Sequence, residues 1–280
     1  MQLLYGKPVA EKILSVTKER IKQSGITPGL AVILVGDDIP SHKYVELKKE
    51  AALRLGIHFE RHFFPQAASP QEIFERIEAL NKQESIHGII VQLPLPLGSP
   101  TDEIILRIDP KKDTDGFHPE TIRRFLAGDK EACPVFPRAL IELLREAKQE
   151  LKGETGLALS NSQLMGQVLS QALHLEGLES QYVLGSAARE TLTLEAKKAR
   201  VIMSACGTLK RITGEMTRED AIILDGGIVY VDGQVAGDVD RESVENKAAY
   251  LSPVPGGVGP VTVATLLARV TAAALKTGAH

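Results

Sequence analysis

Tyr44 and Lys48 have the types and spacing of residues that could do chemistry, because they stand four residues apart in a segment with helical periodicity. A helix is predicted over 41–55, with Ser41 as its N-cap and Gly56 at its end. Its apolar face would turn Lys48 toward the protein interior, where an amine can have a lowered pKa and act as a base. A lysine on an amphipathic helix is more often exposed to solvent, so both interpretations stay open at this point. The predicted apolar face comprises Tyr44, Leu47, Ala51 and Leu55.

Three other segments carry side chains or glycines suited to binding a small molecule. Gln92 ends the buried strand predicted over 88–92, where its amide either satisfies loop backbone or reaches a ligand. Asp115 precedes a glycine and serves either a turn or a ligand contact. The segment 255–260, Pro-Gly-Gly-Val-Gly-Pro, either forms a plain loop or lets a ligand approach backbone N–H groups. Taken singly, none of these segments decides between a structural and a functional role.

The composition of the 280-residue chain, with 43% hydrophobic residues, is typical of a soluble globular protein and excludes a disordered one. Its 33 basic and 36 acidic side chains give a net charge of −3, so nothing electrostatic favours nucleic acid or an anionic membrane as a partner. No segment approaches the roughly 18 consecutive apolar residues of a membrane helix, and the N-terminus lacks the apolar centre of a signal peptide. A cytoplasmic location is therefore expected. The length favours two domains, although a single TIM barrel also fits it.

A metal site is not expected in this sequence. His58 and His62 stand in a predicted strand with no third ligand nearby. Cys133 and Cys206 are too far apart in sequence for a CxxC pair or a zinc cage, and we expect them to be reduced and buried.

Two alternating series of strands and helices predict an α/β fold with parallel strands, whose functional loops lie at the carboxyl ends of the strands. A helix over 137–151 separates the two series and is interpreted as a bridge between domains. A hairpin over 228–235 and a proline-initiated helix over 260–275 follow the second series. The first series comprises 29–36, 41–55, 58–64, 69–81 and 88–92. The second, interpreted as a smaller layer, comprises 156–159, 164–175, 182–184, 192–198, 201–203 and 221–225.

Five segments together resemble one known family, and their order and spacing cover nearly the whole chain. They are Ser-His-Lys-Tyr-Val-Glu-Leu-Lys at 41–48, Gly-Ile-Ile-Val-Gln-Leu-Pro-Leu-Pro at 88–96, Lys-Asp-Thr-Asp-Gly-Phe-His-Pro at 112–119, Gly-Asp-Val-Asp at 237–240 and Ser-Pro-Val-Pro-Gly-Gly-Val-Gly-Pro-Val-Thr at 252–262. The chain resembles the methylenetetrahydrofolate dehydrogenase/methenyltetrahydrofolate cyclohydrolase family, the bacterial FolD proteins. The second and fifth segments are highly specific.

The resemblance implies two α/β domains flanking a cleft, the second a Rossmann-like dinucleotide-binding layer, with the C-terminal helix returning to the first domain. It implies a folate-binding catalytic domain over 1–137 together with 260–280, a Rossmann-like NAD(P)-binding domain over 138–259, and a homodimer. Lys48 matches the catalytic lysine of the family. Tyr44 would stack on the folate, Gln92 would orient Lys48, and Asp115 would hydrogen-bond the pterin ring. The implied substrate-binding residues are Tyr44, Lys48, Gln92, Leu93, Asp115, Pro255, Gly256, Gly257 and Val258.

The implied chemistry is hydrolysis of 5,10-methenyltetrahydrofolate to 10-formyltetrahydrofolate, together with NADP-dependent oxidation of 5,10-methylenetetrahydrofolate, in the one-carbon metabolism that feeds purine biosynthesis. The methenyl substrate is an amidinium-like cation, whose charge disfavours an ammonium beside it. This charge favours neutral Lys48 as the base for the attacking water.

The dinucleotide site departs from the family pattern. The phosphate turn of the family, Gly-Arg-Ser followed by Val-Gly-x-Pro, aligns with 160–162 and 165–168, where Asn161 replaces the arginine that suits the 2′-phosphate of NADP. A second basic position falls at Ala187, leaving Arg189 as the nearby cation, and Phe136 replaces a small hydroxyl residue near the nicotinamide path. The implied cofactor-binding residues are Ser160, Asn161, Ser162, Gly166, Ser186 and Ile228.

Because these departures concentrate around one ligand, we expect the hydrolysis to be retained and the oxidation to be reduced, redirected to NAD, or absent. The cofactor is thus NADP, NAD or none. One alternative is a non-catalytic folate-binding or regulatory homologue. Another is an NAD-linked dehydrogenase for a different substrate, which is disfavoured because no G-x-G-x-x-G follows the strand at 157–159.

Overall fold

The computed structural model describes residues 1–277 as an α/β protein that divides into two compact units. We call one the large-sheet unit, formed by Met1–Ala10 and Arg124–Thr262, and the other the small-sheet unit, formed by Glu11–Arg123 and the chain from Val263 onward. The last three residues of the C-terminal helix predicted to lie within 260–280 are outside the described residues.

The elements alternate along the chain as expected for parallel sheets with helical crossovers. The strands are β1 (Gln2–Leu3), β2 (Gly29–Val35), β3 (His58–Phe64), β4 (Gly88–Val91), β5 (Thr155–Ser160), β6 (Glu179–Leu184), β7 (Val201–Ala205), β8 (Ile222–Asp225), β9 (Val229–Val231), β10 (Gln234–Ala236) and β11 (Tyr250–Ser252). The helices are α1 (Gly6–Ser24), α2 (Ile39–Leu55), α3 (Pro70–Lys82), α4 (Thr101–Leu106), α5 (Pro119–Leu126), α6 (Val135–Glu146), α7 (Gln163–Leu175), α8 (Arg189–Lys198), α9 (Arg241–Val244) and α10 (Val258–Thr277).

The small-sheet unit is built on a three-stranded parallel sheet in the order β3-β2-β4. All seven residues of the central strand β2 are buried, which explains its unbroken apolar sequence, because a central parallel strand is covered on both faces. Side chains of β2 and β4 pack with those of α3 and α4 in one apolar core. The helix α3 begins with the predicted capping box between Ser69 and Glu72.

The helix α2 differs from its prediction in two respects. It begins at Ile39, because the carboxylate of Asp38 accepts a hydrogen bond from the Ser41 backbone N–H and so Asp38, not Ser41, is the N-cap. On its predicted buried face, Ala51, Leu55 and the inward-turned Lys48 are buried as expected, whereas Leu47 is 54% exposed. Gly56 ends the helix in the left-handed conformation as predicted, with φ of 78°. The buried residues are Ser41, Val45, Lys48, Ala51, Ala52 and Leu55.

The large-sheet unit contains a six-stranded parallel sheet in the order β1-β11-β8-β7-β5-β6. The prediction of a smaller second layer was wrong, because β1 and β11 extend this sheet and neither short strand carries a clear sequence signal. The pairing of β1 with β11 is also why residues 1–10 cluster with this unit, whereas the sequence suggested one domain over 1–137. The predicted hairpin is confirmed as β9 and β10, with Asp232 and Gly233 at positive φ in its turn.

Two helices of the second half of the chain differ from the sequence predictions. The helix predicted over 137–151 is α6, which ends at Glu146 and lies within the large-sheet unit, so it is not a bridge between the units. The helix α10 is long and apolar enough to cross a membrane by length and composition alone, contrary to the expectation that no segment approaches that limit. In the most apolar 18-residue stretch of α10, 56% of the residues are buried, as in the core helix of a globular protein.

Candidate active site

Lys48 lies on the buried face of α2, and its side chain is only 7% exposed. Its Nζ donates a hydrogen bond to Oε1 of Gln92 at 2.8 Å. The same nitrogen stands 4.6 Å from the centre of the Tyr44 ring, within the range of a cation–π interaction. The predicted trio of Tyr44, Lys48 and Gln92 is therefore brought together within the small-sheet unit.

The amide of Gln92 is held in one orientation by the end of β4. Its backbone N–H donates to the carbonyl of Ile33 on the neighbouring strand, at 2.9 Å. Its side-chain Nε2 donates to the carbonyl of Leu93 at 2.6 Å. With Nε2 engaged there, Oε1 faces Lys48 as a hydrogen-bond acceptor. Gln92 thus satisfies loop backbone and orients the lysine at the same time, so the two interpretations of this residue both apply.

Burial and charge act in opposite directions on Lys48. Burial lowers the pKa of its amine from 10.5 to about 8, while the negative charge of Asp115 raises that pKa. Burial likewise raises the pKa of the Asp115 carboxyl, and the positive charge of Lys48 lowers it. Asp113 raises and Arg269 lowers the same Asp115 pKa, so the carboxyl lies among charged groups of both signs. An amine with a pKa near 8 can exchange a proton close to neutral pH.

Asp113 holds the loop that carries Asp115, and the sequence analysis did not single it out. This buried carboxylate accepts hydrogen bonds from the backbone N–H groups of Gly116 and His118, at 2.9 and 3.0 Å, and from the Thr121 hydroxyl at 2.7 Å. Asp113 also forms an isolated parallel bridge with Ile89 of β4. The available signal was Asp113 three residues before Gly116, a spacing typical of an aspartate that closes a turn onto following backbone N–H groups.

Leu93, Asp113, Asp115 and Phe117 line one small cavity next to β4. Leu93 and Asp115 were predicted to bind substrate, and the structure brings them to the same cavity. Asp115 therefore both occupies a turn and lies at a concave site.

The predicted loop Pro255–Val258 belongs to the large-sheet unit. The Gly6 backbone N–H donates to the carbonyl of Gly256 at 2.8 Å, and Gly256 has a φ of 99°. Pro255 and Gly256 are exposed, whereas Gly257 and Val258 are buried. The role of these four residues in substrate binding stays a prediction.

The residues predicted to bind a dinucleotide lie along the carboxyl edge of the six-stranded sheet. Ser160 ends β5, Ser162 is the N-cap of α7, and its hydroxyl accepts a hydrogen bond from the Met165 backbone N–H at 3.4 Å. Gly166 packs against the Tyr182 ring so closely that a Cβ there would lie 2.6 Å from a ring carbon. Ser186 follows β6 and is exposed, and Ile228 follows β8 and is 62% exposed.

Asn161 and Phe136 occupy space along this edge. The Asn161 amide Nδ2 donates to the backbone carbonyl of Cys206, after β7, at 2.5 Å. The Phe136 ring crowds Gly226, where a Cβ would lie 2.5 Å from the ring. Asn161 is exposed and immediately precedes the N-cap of α7, the helix end that a dinucleotide pyrophosphate meets in a Rossmann-like domain.

Two buried carboxylates hold the loops around Ile228. Asp225 accepts hydrogen bonds from the backbone N–H groups of Gly227, Asp238 and Val239, each at 3.0 Å. Burial, opposed by these hydrogen bonds, raises the pKa of Asp225 to about 6. Asp238 in turn accepts from the Cys206 and Thr208 backbone N–H groups, both at 2.7 Å. These contacts fix the loops after β7 and β8.

Across residues 1–277, there is no cluster of three or more histidine, cysteine or acidic side chains that could hold a metal ion.

Family models match most of the chain. Residues 4–115 match the catalytic domain of tetrahydrofolate dehydrogenase/cyclohydrolase, and residues 134–278 match the NAD(P)-binding domain of the same family. The chain belongs to this family. Among its relatives, the bifunctional protein FolD of Nitratiruptor sp. is 41% identical over 278 residues, covering 98% of each chain. The bifunctional protein FolD of Bacillus licheniformis is 39% identical, over 98% of this chain and 97% of that protein.

Solved structures of the family have the same fold. The bifunctional FolD enzyme of Campylobacter jejuni superposes with a TM-score of 0.93 at 34% identity, covering 99% of each chain. The FolD of Trypanosoma brucei, solved with NADP and an inhibitor, has a TM-score of 0.93 at 27% identity over 99% of this chain and 98% of that one. The α/β fold with a Rossmann-like NAD(P)-binding domain and a C-terminal helix is thereby confirmed.

Proposed function

We propose that this FolD family member hydrolyses 5,10-methenyltetrahydrofolate to 10-formyltetrahydrofolate, with Lys48 as the catalytic base. The observation that carries the proposal is the buried Lys48 amine, hydrogen-bonded to Gln92 and holding a pKa of about 8. Membership in a family of bifunctional dehydrogenase/cyclohydrolases supplies the substrate class. No observation favours the non-catalytic alternative, and the relatives named above are bifunctional enzymes.

In the proposed reaction, water adds to the one-carbon bridge of the methenyl cation. Neutral Lys48 accepts a proton from that water as the new C–O bond forms. The bond between this carbon and N5 of the folate then breaks, the formyl group stays on N10, and one proton is released overall. The cationic substrate lowers the pKa of a neighbouring amine further, so binding itself favours the basic form of Lys48.

The other residues of the site have positioning and binding roles in this proposal. Gln92 holds the amine through its fixed Oε1. Tyr44 offers a ring face both to the amine and to the flat folate ring system. Asp115 supplies a hydrogen-bond partner for the pterin ring and a negative charge that balances the cationic substrate.

The family also implies NADP-dependent oxidation of 5,10-methylenetetrahydrofolate, and the NAD(P)-binding domain is present. At the carboxyl edge of its sheet, Asn161 replaces the arginine of the family pattern and donates a hydrogen bond to the carbonyl of Cys206. We therefore propose that hydrolysis is the stronger of the two activities. Assays of both reactions with purified protein test which activity is stronger. Robust NADP-linked oxidation with a micromolar KM for NADP would contradict the proposal.

The Lys48→Met substitution tests the role of the lysine. It removes the amine and keeps an unbranched side chain of similar length, so we expect cyclohydrolase turnover to fall by a factor of at least about a hundred, the usual scale of a lost general base. Lys49→Met is the matched control, because Lys49 is on the same helix and its side chain is 42% exposed in an ion pair with Glu46. Unchanged turnover in folded Lys48→Met protein would remove Lys48 from the reaction.

We also propose a homodimer in the cytoplasm that contributes to purine biosynthesis and binds neither nucleic acid nor membrane. The net charge of −3 and the family membership support this proposal. Light scattering during size-exclusion chromatography tests the dimer, and a mass near the monomer's 30.3 kDa at micromolar protein would contradict it.

A further inference from the structure

The six-stranded sheet has a topological switch point between β5 and β7. The chain leaves β5 for β6 on one side and, after β6, returns to β7 on the other side of β5. In open α/β sheets a ligand binds in the crevice at the carboxyl ends of such strands, and a dinucleotide pyrophosphate meets the helix that follows the first of them. Here that helix is α7, with Ser162 as its N-cap.

The Asn161 side chain spans this crevice. Its Nδ2 donates to the carbonyl of Cys206 beyond β7 at 2.5 Å. Its Oδ1 lies 2.3 Å from the place that a Cβ on Gly185 would occupy, and Gly185 follows β6, where its backbone N–H donates to the carbonyl of Ser160 at 2.9 Å. The Asn161 amide thus lies beside the segments that follow β6 and β7, while the residue itself stays exposed to solvent.

We propose that Asn161 obstructs the pyrophosphate position and thereby sets a low affinity of this protein for both NAD and NADP. To admit a pyrophosphate, the Asn161 amide must give up its hydrogen bond to Cys206 and leave the crevice. A neutral amide also offers no positive charge to a phosphate, unlike a guanidinium. The proposal rests on the NAD(P)-binding domain and not on the reaction at Lys48.

The test is a calorimetric titration of the Asn161→Ala and Asn161→Gly variants with NADP and with NAD, each ligand alone. Both variants are expected to bind each dinucleotide up to about tenfold more tightly than the unmodified protein, which equals about 1.4 kcal/mol, the scale of one hydrogen bond. The gain should be the same for NAD and NADP because both contain the pyrophosphate. Asn246→Ala is the matched control, since Asn246 is an exposed asparagine of the same unit, and its affinities should match those of the unmodified protein.

Unchanged or weaker binding in both Asn161 variants would overturn the proposal, because Asn161 would then be a bystander or a ligand. A micromolar dissociation constant for NADP in the unmodified protein would overturn it as well. Two variants are used, with melting temperatures measured for each, so that a folding defect in one leaves the other as the test. The cyclohydrolase assay of the unmodified protein is a separate measurement, so failure of the proposed reaction is distinguishable from failure of this inference.

Discussion

Lys48 combines the two properties that a base for a cationic substrate needs, a lowered pKa and a fixed position. A pKa of about 8 leaves roughly a tenth of the amine neutral at pH 7, several hundred times the fraction for an ordinary lysine. The hydrogen bond to Gln92 fixes the nitrogen, and Asp115 keeps its pKa from falling further. The pKa of Lys48 is therefore set by two opposing effects, desolvation and the charge of one nearby carboxylate.

Gln92→Glu should shift this balance in a measurable direction. A carboxylate 2.8 Å from the Lys48 nitrogen favours the ammonium, so the pKa of Lys48 should rise above its value of about 8. Cyclohydrolase kcat/KM at pH 7 should then fall about tenfold for each pH unit by which the pKa rises. The pH dependence of kcat/KM measures this shift. A loss of activity with no displacement of the pH profile would mean that Gln92 acts only structurally.

The placement of Tyr44 and Lys48 on one helix face could be predicted from helical spacing, whereas the contact between Gln92 and Lys48 was implied only by the resemblance to the family. Asp113 was missed, since its three hydrogen bonds are visible only when the following loop folds back onto it. Asn161 was named as an implied cofactor-binding residue and for the charge it lacks. Its contact with Cys206 depends on the order of strands in the sheet.

At the scale of elements, long periodic segments were predictable and short or context-dependent ones were not. The strand β2 and the capped helix α3 follow from local sequence. The strands β1 and β11, of two and three residues, exist because a neighbouring strand pairs with them. On α2 the apolar pattern misplaced Leu47, which is exposed, but it correctly turned Lys48 toward the interior.

The loop between β4 and α5 depends on Asp113, so Asp113→Ala should damage both stability and the site. The change leaves the buried N–H groups of Gly116 and His118 and the Thr121 hydroxyl without their acceptor, at an expected cost of about 3 kcal/mol in unfolding free energy. Urea unfolding measures it, with Asp102→Ala, an exposed aspartate of α4, as the control. A loss no larger than that of the control would contradict the role given to Asp113.

At the scale of the whole molecule, the buried amine of Lys48 reduces folding stability. In the unfolded chain the amine has its ordinary pKa of 10.5 and in the folded protein about 8, so between these pH values the unfolded state binds the extra proton. Folding stability therefore rises with pH through that window and is reduced by up to about 3 kcal/mol at neutral pH. This loss of stability comes from burying the amine at the position that the proposed reaction requires.

Lys48→Met should accordingly stabilise the protein at pH 7 while abolishing its activity. The gain in unfolding free energy should be about 1 kcal/mol, less than the full cost, because Gln92 and Asp115 lose a partner. The gain should shrink as the pH rises from 8 toward 10.5, where the unmodified protein recovers stability. Urea unfolding at pH 7 and 10 measures it. If the variant were less stable than the unmodified protein at pH 7, this would contradict a destabilising effect of the buried Lys48 amine.

The most direct test of Lys48 as the base is the pH dependence of cyclohydrolase kcat/KM in the unmodified protein, after subtraction of the rate without protein. We expect kcat/KM to rise about tenfold per pH unit at low pH and to level off near pH 8, where the free-enzyme amine becomes neutral. In Lys48→Met protein this titration should be absent. An amine of this pKa titrates between about pH 6 and about pH 9. A profile that is flat over that range would contradict a lysine base.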